Sequence, residues 1–383
     1  MEGRARCRIY ATVPSGFELC AKDECSERFG EDVSKFHTER GALRFDVAAE
    51  RVDELLKLRS VDHLFAVILE TTKDFSQDKV EAVRSTEDLL TDDVQWKTGF
   101  QTWKTLTKII SDKKDYVDIP SNFSEGGDFV PSFRATCYRS GKHVFTSQEA
   151  MHSFGGYLNT KFRWKVDLKN YDVEVVLIID DNRVSICLSL TDEALFRRNI
   201  THFGPTTMRA TIAYNMVRLG NVQPGDIVCD PMCGSGAIPI EAALGYPSSF
   251  VLCGDNYHLS PVRTLHNVLD LQKTGVALNN IDVLACDVIS YPLKPSSVDV
   301  WVTDFPFGKR HKCNRYDLYP KALAAMARAS KPGISRAVIL TKDRQAMAAS
   351  LKASKYWYMK RQVNINVGGL NACVYCLLRT IVA

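Results

Sequence analysis

Long apolar runs are missing from this chain of 383 residues. No stretch reaches the ~18 to 20 apolar residues that a helix needs to cross a bilayer, so no membrane partner is expected. Met1 to Arg8 is polar and basic with no apolar core behind it, and a secretory leader is not expected either. Charge of one sign is scarce: 49 lysines and arginines stand against 45 aspartates and glutamates, a net charge of +4. An excess that small is compatible with a nucleic-acid partner and does not identify one. The twelve cysteines lack paired metal-like spacing. Cys373-Val-Tyr-Cys376 lies in a strand pattern with no second pair near it, so no metal site is expected. Cys187, Cys229, Cys253 and Cys286 sit inside apolar runs, as reduced buried thiols of an intracellular protein do. The expected compartment is the cytoplasm, with the nucleus as a second one.

What is present is ordinary globular material, 45% hydrophobic and 25% charged, long enough for two or three domains. Residues 7 to 70 read as strand, helix, strand, helix, strand: 8–13, 17–29, 41–47, 52–58 and 64–69. Trp96, Phe100, Trp103, Leu106 and Ile110 fall three or four apart, an apolar stripe read as packing. Phe133 to Arg139 begins a new unit, followed by a helix near Ser147 to Leu158 with Ser147 as its cap. The runs 172–179 and 184–190 flank a turn and read as a hairpin. Arg134, Arg139, Lys142, Lys161, Arg163 and Lys165 gather here with aromatic neighbours, either as phosphate contacts or as a solvated rim.

From Thr206 onward strand and helix alternate, the pattern of an α/β layer. Asp226 to Cys229 is a short strand, Asp230-Pro-Met-Cys-Gly-Ser-Gly236 a glycine-rich turn, and Ala237 to Leu244 the start of a helix. This is the opening of a nucleotide-binding unit. A dinucleotide fingerprint wants a third glycine where Pro239 stands, and Asp230 would repel phosphate. A carboxylate there suits a ligand carrying an amino group and positive charge. The second strand, 250–255, ends at Asp255, placed to take ribose hydroxyls or to cap the helix 259–273. The third ends at Asp287, which can accept from an adenine amino group or stand in a surface turn. The fourth, 298–303, runs into Asp304-Phe305-Pro306-Phe307. An exocyclic amine is a poor nucleophile because its lone pair is delocalised. The Asp304 carboxylate and the Phe305 carbonyl can accept its two N–H bonds, Phe307 can stack the base, and Pro306 fixes the loop beforehand. Strands at 336–341, 362–367 and 372–379 complete the sheet.

The strings Asp230 to Gly236 and Asp304 to Phe307 resemble the cofactor and amine motifs of S-adenosylmethionine-dependent methyltransferases. Cys137-Tyr-Arg139, Phe145 to Glu149 and Trp164 to Leu168 resemble a THUMP domain. With Asn199 to Thr207 and Asn366 to Leu370, they bring the chain close to the eukaryotic THUMP-containing transfer RNA guanine-N2 methyltransferases. Phe305 replaces the first proline of the Pro-Pro form of the motif.

The resemblance implies an α/β fold: a Rossmann-like class I methyltransferase domain over 196–383, preceded by an α+β ferredoxin-like domain (1–125) and THUMP (126–195). It implies methylation of a guanosine N2 amine near the acceptor end of transfer RNA, at position 6. S-adenosyl-L-methionine is the implied cofactor, touched by Phe203, Gly204, Pro205, Thr206, Thr207, Asp230, Met232, Cys233, Gly234, Gly236, Ala237, Asp255, Asn256, Asp287 and Val288. The implied partners are transfer RNA and a small zinc-binding activator subunit.

Overall fold

The computed structural model describes residues 5–89, 96, 99, 102, 103, 131–306 and 314–382. Two sheets organise them. The first has the strand order β2-β3-β1-β4-β8-β7-β5-β6. Its strands are β1 (Arg6–Thr12), β2 (Val33–Glu39), β3 (Ala42–Ala48), β4 (His63–Thr72), β5 (Ser132–Ser140), β6 (Lys165–Val166), β7 (Val173–Asp180) and β8 (Arg183–Ser189). Antiparallel pairing of β4 with β8 joins the strands before residue 73 to those after residue 131 in one hydrogen-bonded ladder. Helices α1 (Glu18–Phe29), α2 (Lys79–Arg84) and α3 (Ser147–Phe162) accompany it. Cys20, Ala21, Cys25 and Phe29 of α1 and Phe154, Leu158 and Phe162 of α3 are buried. Trp96 and Trp103 are buried as the apolar stripe requires, while Phe100, Leu106 and Ile110 lie outside the described residues.

Three local readings change. Val33–Glu39 is an edge strand that no alternation signals, because Lys35 takes a positive φ and the register with β3 slips between Ser34 and His37. The helix expected over 52–58 is a 3-10 helix and spans residues 49–57. Thr146, not Ser147, caps α3: its hydroxyl accepts from the Glu149 N–H while the Glu149 carboxylate accepts from the Thr146 N–H.

The second sheet has the order β11-β10-β9-β12-β13-β15-β14. Its strands are β9 (Ile227–Asp230), β10 (Phe250–Asp255), β11 (Ile281–Ala285), β12 (Val300–Asp304), β13 (Arg336–Thr341), β14 (Trp357–Val367) and β15 (Leu370–Arg379). The first five run parallel, and β15 returns antiparallel to β13 with β14 outside it. Helix α4 (Ala210–Leu219) precedes β9, and α5 (Ala237–Gly245), α6 (Leu259–Lys273), α7 (Arg315–Ala329) and α8 (Arg344–Ala353) connect the strands. Parallel strands covered by helices are buried on both sides, which is why β9, β12 and β13 read as near-continuous apolar runs. Reversal of the connection between β9 and β12 leaves the carboxyl ends of β9, β10 and β12 around one crevice, the ligand position of open α/β sheets.

The two sheets meet through polar contacts. Arg59 donates to Glu241, a carboxylate 1% exposed on α5, which also accepts from the Asn199 amide at 2.6 Å. Thr211 bonds Asp62, Asn215 donates to the Ser60 carbonyl, and Arg218 grips Glu27 through both guanidinium nitrogens. Arg198 donates to the Leu58 carbonyl at 2.9 Å, tying the linker to the N-terminal sheet. No helix among the described residues is long and apolar enough to cross a membrane. No group of three or more metal-ligating side chains occurs among them.

Candidate active site

The crevice is built by four strand ends. Asp230 closes β9 and is 2% exposed. Its Oδ1 accepts from the Met232 N–H at 3.2 Å, while Oδ2 is buried without a partner. Burial, and less strongly the charge of Asp255, pushes its pKa up to about 7, against the Met232 N–H and a Thr303 hydroxyl that lies nearby but outside hydrogen-bonding geometry. Asp304 closes β12; its Oδ1 is likewise buried and unpartnered, although the residue as a whole is partly accessible. Burial and the neighbouring Asp230 carboxylate raise its pKa well above the usual range. Two buried carboxylates with idle oxygens face the same space. A bare pair of this kind is costly, and a positively charged ligand relieves it.

The glycine-rich turn is shaped for close approach. Gly234 and Gly236 have φ of +56° and +88°, values that favour glycine. A Cβ on Gly236 would meet Thr264 at 2.7 Å, whereas one on Gly234 would meet nothing within 4 Å. Asp255, at the end of β10, accepts from the Gly234 N–H and from the Tyr257 N–H, both at 2.9 Å. It does not cap α6, whose N-cap position is His258. Asp287 stands in a turn: it caps the short turn Val288–Ser290 and accepts from the Asn256 amide at 2.9 Å. Val288 beside it is buried. Cys233 and Ala237 are buried in the turn and Met232 is partly so.

The segment Phe203 to Thr207 comes to the same place. Gly204 N–H donates to the Thr207 hydroxyl at 2.7 Å, and that hydroxyl lies 2.9 Å from the Ser235 hydroxyl. Phe203 is 62% exposed, and Pro205 and Thr206 are exposed beside it.

Beyond Asp304, Phe305 is fully buried with its ring 4.8 Å from that of Tyr319. Pro306 offers its carbonyl to the Tyr319 hydroxyl at 3.0 Å. Phe307 lies outside the described residues.

Two residues that the sequence reading missed hold this arrangement. Tyr319, fully buried on α7, also meets the Thr341 hydroxyl at 2.7 Å, so it joins the strand ends of β12 and β13. Asn267, 1% exposed on α6, accepts from the Thr201 and His202 N–H groups and donates to the Ser235 carbonyl. It therefore locks the 201–207 segment onto the glycine-rich turn. No local pattern marks either residue, because each partner lies at least 13 residues away in the chain.

The basic residues after residue 130 fall into two groups. Lys165 pairs with Ser132 at the start of β5, and Lys161 and Arg163 lie beside it at the end of α3. Arg139 is near the other end of β5, where it meets His143 at 3.0 Å, with Lys142 just beyond. Eight residues of extended strand separate these ends by ~26 Å. Arg134 is held by Glu174 at 2.8 Å and stacks over Tyr171.

Residues 197–372 match the family model of the RMKL-like methyltransferase domain, and residues 115–189 match that of the THUMP domain. The bovine and human proteins named tRNA (guanine(6)-N(2))-methyltransferase THUMP3 are each 37% identical to the chain, over 97% of it and 88% of their own length. The chain belongs to the THUMP3 methyltransferase family. The mouse U6 snRNA (guanine-N(2))-methyltransferase THUMPD2 is 32% identical, over 55% of this chain and 39% of its own. Among solved structures, TrmN from Thermus thermophilus aligns with a TM-score of 0.73 at 23% identity, covering 97% of this chain and 99% of its own. SMU.472, solved as a complex with SAH, aligns with a TM-score of 0.68 at 15% identity over the full length of both. These two likenesses bear on the fold, and both span the THUMP3-type chain from its first sheet through its second.

Proposed function

We propose that the chain methylates the N2 amine of a guanosine in transfer RNA, at position 6 of the acceptor stem. The observation that carries the chemistry is the pair of idle buried oxygens on Asp230 and Asp304 beside a glycine-rich turn. S-adenosylmethionine fits that site, and when bound it supplies a methyl group on a positively charged sulfur. Asp230 faces that charge, Asp255 is placed for the ribose hydroxyls, and Asn256, Asp287 and Val288 line the place of the adenine. Asp304 accepts an N–H of the target amine, and the Phe305 carbonyl is the second acceptor. Returning density to the nitrogen and holding it in line is the protein's contribution to the reaction. Similarity to the THUMP3 proteins over nearly the whole chain, against about half for THUMPD2, favours transfer RNA over U6 RNA.

Mass spectrometry of nucleosides after incubation with transfer RNA and S-adenosylmethionine tests this reading. N2-methylguanosine at position 6 is the expected product; a modified U6 RNA with unmodified transfer RNA would overturn the substrate. Tyr319→Phe removes the hydroxyl that fixes the Pro306 carbonyl, so Tyr319 acts as a positioning residue. Single-turnover rates are expected to fall about tenfold with unchanged S-adenosylmethionine affinity, and stability to drop by ~1 kcal/mol in a thermal melt.

We also propose a small zinc-binding activator subunit as partner and the cytoplasm and nucleus as compartments. Family resemblance supports the first. The described cysteines, all unpaired thiols, are compatible with the second. Co-expression with and without such a subunit, read as soluble yield and turnover, decides the partner.

A further inference from the structure

A cleft of about 430 Å³ opens where the first sheet meets the outer hairpin of the second. The Ser15–Leu19 turn forms one wall, Arg40 in the turn between β2 and β3 the second, and Arg344 with the β14–β15 hairpin the third. A Cβ on Gly16, at φ +100°, would collide with the Asn364 carbonyl oxygen, so the two halves of the chain touch backbone to backbone at its floor.

Its charge is one-sided. Glu18 lines it, but that carboxylate is saturated by the Gly16 and Gly41 N–H groups at 3.0 and 2.7 Å. Glu39 is paired with Arg44 and Arg183. Asp343, next to Arg344, is paired with Arg315 at 3.0 Å. Among the described residues neither the Arg40 nor the Arg344 guanidinium has an ion-pair or hydrogen-bond partner, and both are exposed. Asn364, Asn366 and Asn371 line the same cleft. Two free guanidinium groups with neutral amides suit a phosphodiester and its ribose.

The place is defined by the sheet. Asp304 pairs with Leu340 and Thr341 with Cys373, so the hairpin tip projects past β13 on the side where Asp304 lies. From β12 across β13 and β15 to β14 is three strand spacings, ~14 Å. That is the reach of one or two nucleotides.

We propose that this cleft binds the RNA backbone at a linkage flanking the guanosine presented to Asp304. The proposal rests on the function proposed above and names the part of the chain that holds the strand while the base enters the crevice. Such a grip steadies a strand whose base has been drawn out of its stack. Because both arginines come from different halves of the chain, the strand is gripped only where the halves meet.

The test uses the full chain and transfer RNAs carrying one neutral methylphosphonate at successive linkages on either side of the methylated guanosine. Wild type is expected to lose about tenfold in affinity at one or two linkages, and R40A/R344A about tenfold on unmodified RNA, with no further loss at those same linkages. The slope of log Kd against log salt is expected to fall by ~1.4 to 1.8 for the double variant. Unchanged S-adenosylmethionine affinity confirms that the variant is folded. Equal RNA affinity and salt slope in R40A/R344A, or additive losses at every linkage, would overturn the cleft while leaving N2 methylation by the wild type intact. Absence of any guanosine methylation by the wild type would overturn both.

Discussion

Asp304→Ala is expected to slow methyl transfer about a thousandfold while cofactor affinity stays within a factor of three. The asymmetry follows from position. Asp304 ends β12, and the residues that hold the cofactor site together (Asp230, Asp255 and the glycine-rich turn) lie on β9, β10 and the loop between β9 and α5. The Oδ1 oxygen of the lost carboxylate has no hydrogen-bond partner among the described residues, so its removal breaks no bond there. It also removes like-charge repulsion from Asp230, and the variant should be no less stable than the parent. A tritiated-methyl assay beside a calorimetric titration reads both quantities. Turnover within tenfold of wild type would remove Asp304 from the chemistry.

Asp230→Asn should show the opposite pattern: weaker cofactor binding by ten- to a hundredfold, and a more stable free protein at pH 8. The folded-state pKa of Asp230, about 7, lies above the ordinary 3.8. Stability from this group is therefore fully present below about pH 4 and is lost as pH rises through about 7, a cost of about 4 kcal/mol in the free protein. Asparagine carries no such cost, so thermal melts of wild type and variant should diverge by several degrees between pH 5 and pH 8. Cofactor binding has the matching dependence. A cationic ligand prefers the ionised carboxylate, and affinity should fall by up to about tenfold per unit as pH drops below 7. A flat affinity between pH 5.5 and 8 would contradict the facing of Asp230 toward the ligand's charge.

The strand-end carboxylates were legible in the sequence for a simple reason. Parallel strands buried on both faces are apolar to their last residue, so an aspartate that ends one is conspicuous. Asp230, Asp255 and Asp304 announce themselves this way, and Asp287 follows two residues after Ala285, the last of β11. The edge strand β2 was not legible, because Phe36 and Val33 alternate with polar residues only around an irregular register. Asn267 and Tyr319 were hidden for a different cause. A polar side chain within a helix looks like surface until the element it reaches is known. The six basic residues clustered in sequence separate in space, since a strand moves its ends apart faster than a helix does.

The unbroken ladder from β2 to β6 has a mechanical consequence. β4 joins the residues that anchor this half to the methyltransferase unit, and β6 lies four strand spacings away, ~19 Å. A hydrogen-bonded sheet has no swivel along that span. Whatever is seated at the β6 edge is thus carried at a set offset from the methyl donor, as on the arm of a caliper, and a nucleotide would be chosen by measured length more than by the letters around it.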